Sequence, residues 1–169
     1  MKKIKKTIIL TARDISAANA LINFRDLLKK KYRIIVYCEN PAYDYLKKKF
    51  QCIKFFNKKS EINKIFSEKV HAIISGYSSK IVKNFGVDEV LVKEGNQRQI
   101  LTFVFQDYPG DLNLSLKSHP KYYLVVNDRA KKILKKFTKK ESIIVGYAYL
   151  KRPKKNYSLR KSIKKKVLI

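Results

Sequence analysis

Apolar residues fall along the chain in short continuous runs that alternate with stretches of helical spacing. Thr7 to Ala12 and Arg33 to Cys38 are runs of the kind expected of strands covered on both faces. Between them Ala17, Ala20, Leu21, Phe24, Leu27 and Leu28 recur at i, i+3, i+4 and i+7, which predicts a helix with that stripe turned inward. Asn40 then reads as an N-cap with Pro41 at the first helical position, and Ala42, Tyr45, Leu46 and Phe50 as a buried face. Cys52 to Phe56 predicts a short third strand, Ser60 caps a helix carrying Ile62, Ile65 and Phe66, and His71 to Gly76 predicts a fourth strand. A helix from Asp88 to Glu94 turns Val87, Val90 and Leu91 inward and stops at Gly95. Further strands are expected at Ile100 to Phe105, Tyr122 to Val126 and Ser142 to Val145. Between the last two lies a helix capped at Asn127-Asp128 and carrying Ala130, Ile133, Leu134 and Phe137.

Strands alternating with short helices imply crossover units, and so an α/β fold: a Rossmann-like, doubly wound, mostly parallel sheet with helices on both faces, in three layers. Right-handed crossovers make strands one and four neighbours where the winding reverses. Ligands of such sheets sit beyond the carboxyl ends of the strands at that reversal. The topology alone therefore selects the loops 13–19 and 76–80, with 107–113 beside them. Residues 1–150 read as one Rossmann-like domain. The segment 151–169 holds nine basic residues and no acidic one, and reads as a basic hinge and the start of a missing second domain.

Charge changes the picture less than its size suggests. The 169 residues include 40 Lys plus Arg against 13 Asp plus Glu, for a formal charge of +27. Lysine supplies 33 of the 40, and Lys, Ile and Asn have A/T-rich codons, so genome bias explains the basicity as readily as a selected anionic membrane, nucleic acid or phosphorylated ligand. The 45% apolar content excludes a disordered polycation. No apolar run approaches the ~18 residues of a membrane span, and Met1 to Lys6 lacks the apolar region of a signal peptide. Cys38 and Cys52 have no metal-ligand spacing and read as reduced, buried thiols, which points to the cytoplasm.

The first loop offers Arg13, Asp14, Ser16 and Asn19 at a helix N-terminus, a place for an anionic or hydroxyl-rich ligand. In the plain structural alternative, Asp14 or Ser16 caps the helix and Arg13 is solvated. The loop has no glycine, so both the dinucleotide fingerprint and the P-loop are absent, and no cofactor is expected. In the second loop Gly76 permits close backbone approach, and Ser78 and Ser79 offer hydroxyls or simply form a turn. In the third, Asp107 leaves a buried strand beside Tyr108 and could accept a ligand proton, or with Asp111 organise the Pro-Gly turn. His71 and His119 are far apart without clustered acids or thiols, so no metal site is expected, and no nucleophile arrangement can be assembled. A phosphorylated receiver domain would need paired acids after the first strand, where only Asp14 stands.

Four stretches together carry a resemblance. Arg13-Asp14-x-x-Ala17-x-Asn19-x-Leu21 follows the first strand, and Ser75-Gly76-x-Ser78-Ser79 follows the fourth. Gln106-Asp107-Tyr108 and the run Pro120 to Asp128 come next, and Ile143 to Leu150 holds a Val-Gly turn with Ala148 where proline is common. In these the chain resembles the N-terminal, acceptor-side domain of GT-B-type glycosyltransferases and related sugar-nucleotide enzymes. The resemblance implies a sugar or lipid-linked acceptor at Arg13, Asp14, Asn19, Gly76, Ser78 and Asp107. It also implies a donor-binding domain located elsewhere, on a missing segment begun by Lys166 to Ile169 or on a separate chain. The chain would then be half of a cell-envelope or polysaccharide enzyme, inactive alone, cytoplasmic or peripheral to the inner face of the membrane. The alternative is a non-enzymatic basic α/β module contacting anionic membrane or nucleic acid. Nucleic acid is not expected, because no recognition helix, zinc knuckle or stacking motif accompanies the charge.

Overall fold

The computed structural model describes residues 5–76, 86–106, 108–109 and 118–147. Seven strands form one sheet in the order β3-β2-β1-β4-β5-β6-β7, and every neighbouring pair is parallel. They are β1 (Thr7–Ala12), β2 (Arg33–Cys38), β3 (Ile53–Lys54), β4 (Val70–Gly76), β5 (Leu101–Phe105), β6 (Tyr122–Val125) and β7 (Glu141–Ile144). The helices are α1 (Ile15–Leu28), α2 (Ala42–Leu46), α3 (Lys59–Ile65), α4 (Val87–Gln97) and α5 (Asp128–Leu134). This is the Rossmann-like α/β arrangement, with β1 and β4 side by side at the reversal. Among the described residues no helix is long and apolar enough to cross a membrane.

The central strands are apolar on both faces because both faces are covered. From β1, Ile8, Leu10 and Ala12 pack with Ala17, Ala18 and Leu21 of α1 and with Ala42 and Leu46 of α2. On the opposite face Ile9 and Ile73 pack with Ile65 of α3 and with Val87 and Leu91 of α4. The helix α5 seats Ala130 and Leu134 on β6 and β7. β1 and β2 span the residues that the apolar runs mark, while β3 shrinks to two residues at the sheet edge.

Several local expectations are corrected. Gly95 does not stop α4 but lies inside it, where a Cβ would come within 2.6 Å of Ile73 Cδ1 and 2.9 Å of Thr102 Cγ2. Its role is close approach of helix to sheet. Pro41, not Asn40, takes the cap position of α2, and the Ala42 N–H instead donates to the Arg13 carbonyl at 3.1 Å. Lys58 rather than Ser60 precedes α3, without a side-chain cap. Leu27 is 66% exposed and Phe137 52% exposed, because the apolar periodicity runs on past the point where each helix leaves the sheet. The Cys38 thiol is buried, which pushes its pKa up, and Cys52 beside it is partly buried. Segment 151–169, with the proposed hinge and second-domain strand, lies outside the described residues.

At the reversal α1 approaches β4 so closely that a Cβ on Gly76 would fall 2.6 Å from Ala17 Cβ and 3.1 Å from Ala17 Cα. Since backbone must move to make room, Gly76→Ala is expected to destabilise by about 1–3 kcal/mol. At this chain length that lowers the melting temperature by roughly 2–4 °C per kcal/mol in a thermal unfolding scan.

Candidate functional site

The reversal is built from side chains that the strand register places opposite one another. Thr11 pairs with Ser75 across β1 and β4, and both hydroxyls point toward the first turn of α4. There Asp88 Oδ1 lies 2.6 Å from Thr11 Oγ1 and 2.8 Å from Ser75 Oγ, while the two hydroxyl oxygens are 3.0 Å apart. The three oxygens form a closed triangle in which the hydroxyls donate. All three residues are buried, and Asp88 Oδ2 has no hydrogen-bond partner among the described residues. Burial pushes the Asp88 pKa up to about 8, with the Glu89 charge adding and the hydroxyl donors opposing. The carboxyl is therefore largely protonated at neutral pH, which is how a lone acid is accommodated away from water.

A second layer lies above it. Arg13 leaves the end of β1 and places Nη2 3.3 Å from Glu89 Oε1, a pair with only 12% and 6% of its side chains exposed. Glu89 Oε2 accepts the Gly86 N–H at 3.0 Å. Glu39, which follows β2 directly, accepts from the Val87 N–H, and its pKa is raised chiefly by burial. A Cβ on Gly86 would collide with Arg13 Nη1 at 2.5 Å and Glu39 Oε2 at 2.6 Å, so the glycine is what admits both groups. On α1, Asp14 is the N-cap, and its Oδ1 accepts the Ala17 N–H at 2.8 Å. At both helix N-termini that face the reversal, carboxylates of the chain itself thus take part of the N–H groups, Asp14 that of Ala17 on α1 and Glu39 and Glu89 those of Val87 and Gly86 at α4.

The expected site residues separate accordingly. Arg13, Asp14 and Gly76 come together at the reversal. Arg13 is an internal partner of Glu89 rather than a solvated charge, and Asp14 is the helix cap of the structural alternative. Ser16 is exposed on the first turn of α1. Asn19 accepts from Tyr45 Oη at 2.7 Å and ties α1 to α2. Tyr108, beyond the end of β5, is 71% exposed. Ser78, Ser79 and Asp107 lie outside the described residues. Sequence reasoning gave no site role to Thr11, placed Ser75 only in its loop motif, and missed Glu39, Gly86, Asp88 and Glu89. A signal existed: two hydroxyls within apolar runs that are covered on both faces require a buried polar partner. No metal-binding group of His, Cys, Asp and Glu occurs among the described residues. Comparison with protein-family models and with curated proteins finds no match for this sequence.

Asp88 has a consequence for stability. Its folded pKa is raised above the ordinary 3.8, so its contribution is fully present below about pH 4 and is lost as pH rises toward about 8. Glu39 acts in the same direction. Denaturant unfolding should show stability falling across that window in the native chain. Asp88→Asn should flatten most of the decline, since the amide stays neutral throughout. In a separate variant, Thr11→Val should cost about 1–3 kcal/mol at any pH by removing a buried hydrogen-bond partner.

Proposed function

We propose that this chain is the acceptor-binding unit of a GT-B-like glycosyltransferase, taking an uncharged, hydroxyl-rich ligand at the β1–β4 reversal. The observation that carries the reading is the occupation of both facing helix N-termini by Asp14, Glu39 and Glu89. Nucleotide-binding sheets of this architecture use those termini for phosphate, through free N–H groups and the positive end of the helix dipole. Here a phosphate would meet carboxylates, and the nearest guanidinium already serves Glu89. A neutral sugar suits the same groups, because carboxylates accept from its hydroxyls and an arginine donates to them. Among them Glu39, partly exposed and with a raised pKa, is the group best placed to take a proton from an acceptor hydroxyl. The nucleotide-sugar donor then requires a second binding unit, and the described residues form only one.

The test is ligand-observed NMR on the purified 169-residue chain, with neutral oligosaccharides and nucleoside diphosphates as separate probes. Oligosaccharide contact that disappears in Arg13→Ala is expected, together with no sugar transfer from nucleotide donors. Nucleoside diphosphate binding that Arg13→Ala abolishes, or turnover by the chain alone, would overturn the reading. Glu39→Ala with Glu89→Ala, which removes both acceptors, should admit inorganic phosphate at the freed α4 terminus, seen as phosphate-dependent chemical shifts absent from the native chain.

A further inference from the structure

In an all-parallel sheet every strand starts at one edge, and that edge is opposite the reversal crevice. Here it is densely cationic. Lys30 and Lys31 precede β2, Lys69 precedes β4, Lys121 precedes β6, and Lys139 and Lys140 precede β7. These lysines are exposed, and no ion pair among the described residues engages them. A cavity of about 880 Å³ opens on the edge, lined in part by Lys5, Lys6, Arg33 and Lys69, where Glu68 is the lone acid among the described residues and pairs with Arg33. A second, of about 480 Å³, opens near the start of β7 between Lys131, Lys135, Lys139 and Lys140, with Glu141 also in its lining.

The two misplaced apolar side chains fall on this same edge. Leu27 sits in the last turn of α1 just before Lys29, Lys30 and Lys31, and Phe137 sits beyond α5 between Lys136 and Lys139. Each is more than half exposed. A large apolar side chain projecting from a ring of lysines matches a lipid surface, where the amines meet headgroup phosphates and the apolar group enters the acyl boundary. A nucleic acid would use the lysines but has no use for an exposed leucine.

We infer that the amino edge of the sheet docks on an anionic lipid bilayer, with Leu27 and Phe137 as apolar contacts and the flanking lysines as the electrostatic ones. A six-residue strand is about 20 Å long, so a bilayer held at this edge leaves the crevice facing water at roughly that distance. The inference stands apart from the acceptor reading, since it uses none of the crevice residues.

The experiment is co-sedimentation of the full chain with phosphatidylcholine vesicles and with vesicles containing phosphatidylglycerol, at low and physiological salt. Binding to the anionic vesicles alone is expected. Lys30→Glu with Lys31→Glu should weaken it about tenfold or more, since each lysine near an anionic surface contributes about fivefold. Lys58→Glu with Lys59→Glu, an equal charge change at the start of α3 by the crevice edge, should leave it within about twofold. Leu27→Ser with Phe137→Ser, with folding checked by thermal unfolding, should reduce vesicle binding without changing the affinity for duplex DNA. Equal loss in both lysine pairs would overturn the inference by showing diffuse charge attraction. So would unchanged vesicle binding in the serine variant, or duplex DNA or RNA binding more tightly than vesicles at physiological salt. Arg13→Ala, which tests the crevice, should bind vesicles like the native chain, so the two readings fail separately.

Discussion

A carboxyl group sealed from water must be neutral or ringed by donors, and the rest of this structure is arranged around how Asp88 meets that requirement. Two hydroxyls from adjacent strands reach one of its oxygens, and burial keeps a proton on the group near neutrality. Because Thr11 lies on β1 and Ser75 on β4, the triangle spans the line where the sheet reverses its winding. It therefore fixes the start of α4 over that line. Moving the helix by even a fraction of a turn would strand a buried polar group, at a penalty of about 1–3 kcal/mol. Glu89, the next residue, inherits its position from this anchor, and so does its pairing with Arg13.

The electrostatic character of the two sheet edges follows from the same topology. Each strand runs into a helix that returns antiparallel to it, so helix N-termini gather at the carboxyl edge and helix C-termini at the amino edge. Acids stabilise the first and lysines the second, each by roughly 0.3–1 kcal/mol through the helix dipole. Repetition across several crossovers sorts the charges. Asp14, Glu39, Asp88, Glu89 and Asp128 lie at one end and the lysines entering β2, β4, β6 and β7 at the other, where Asp26, Glu68, Glu94 and Glu141 offset part of their charge. Capping preference is enough to start this segregation. It does not explain the exposure of Leu27 and Phe137 at the basic edge, nor that of Phe56 and Tyr108 at the other, none of which gains from a helix dipole.

How far the chain could be read in advance depends on whether a signal was local. The strand positions were legible because a strand covered on both faces must be apolar throughout, which is visible without knowing its neighbours. β1 and β2 follow their apolar runs for this reason. The caps Asp14 and Asn127 were legible because a side chain bonding an N–H three residues ahead is a short-range event. Asn40 and Ser60 carry equally good cap chemistry, but tertiary contacts set where α2 and α3 begin, and the Ala42 N–H is taken by the Arg13 carbonyl. Gly95 resembled a stop signal because sequence cannot distinguish a glycine that ends a helix from one that lets it approach a sheet. Leu27 and Phe137 fit the helical period and are nonetheless exposed, since periodicity reports which way a residue points but not whether anything lies there. The site itself was half legible. Topology placed the winding reversal between β1 and β4, where the sheet has it, yet Glu39, Asp88 and Glu89 meet there only in three dimensions, from segments about 50 residues apart.

This closure of the crevice from within bears on how a ligand could be recognised there. Glu39 arrives from β2, Arg13 from β1 and Glu89 from α4, so three separately anchored elements present polar atoms around Gly86. None of these side chains can swing away freely: Arg13 and Glu89 hold each other, Glu89 holds the Gly86 N–H, and Glu39 holds that of Val87. A site held in this way has already met the entropy of ordering its side chains before any ligand arrives, and a neutral ligand gains from that without having to displace a paired charge. Under the proposed reading, the acidic cluster makes Arg13 a poor partner for phosphate. Its charge is neutralised at short range by Glu89 and opposed by Glu39, so what remains for a ligand is a directed N–H donor rather than a net positive field. Under that proposal the donor serves a ligand hydroxyl, and a ligand without phosphates is the one that such a site asks for.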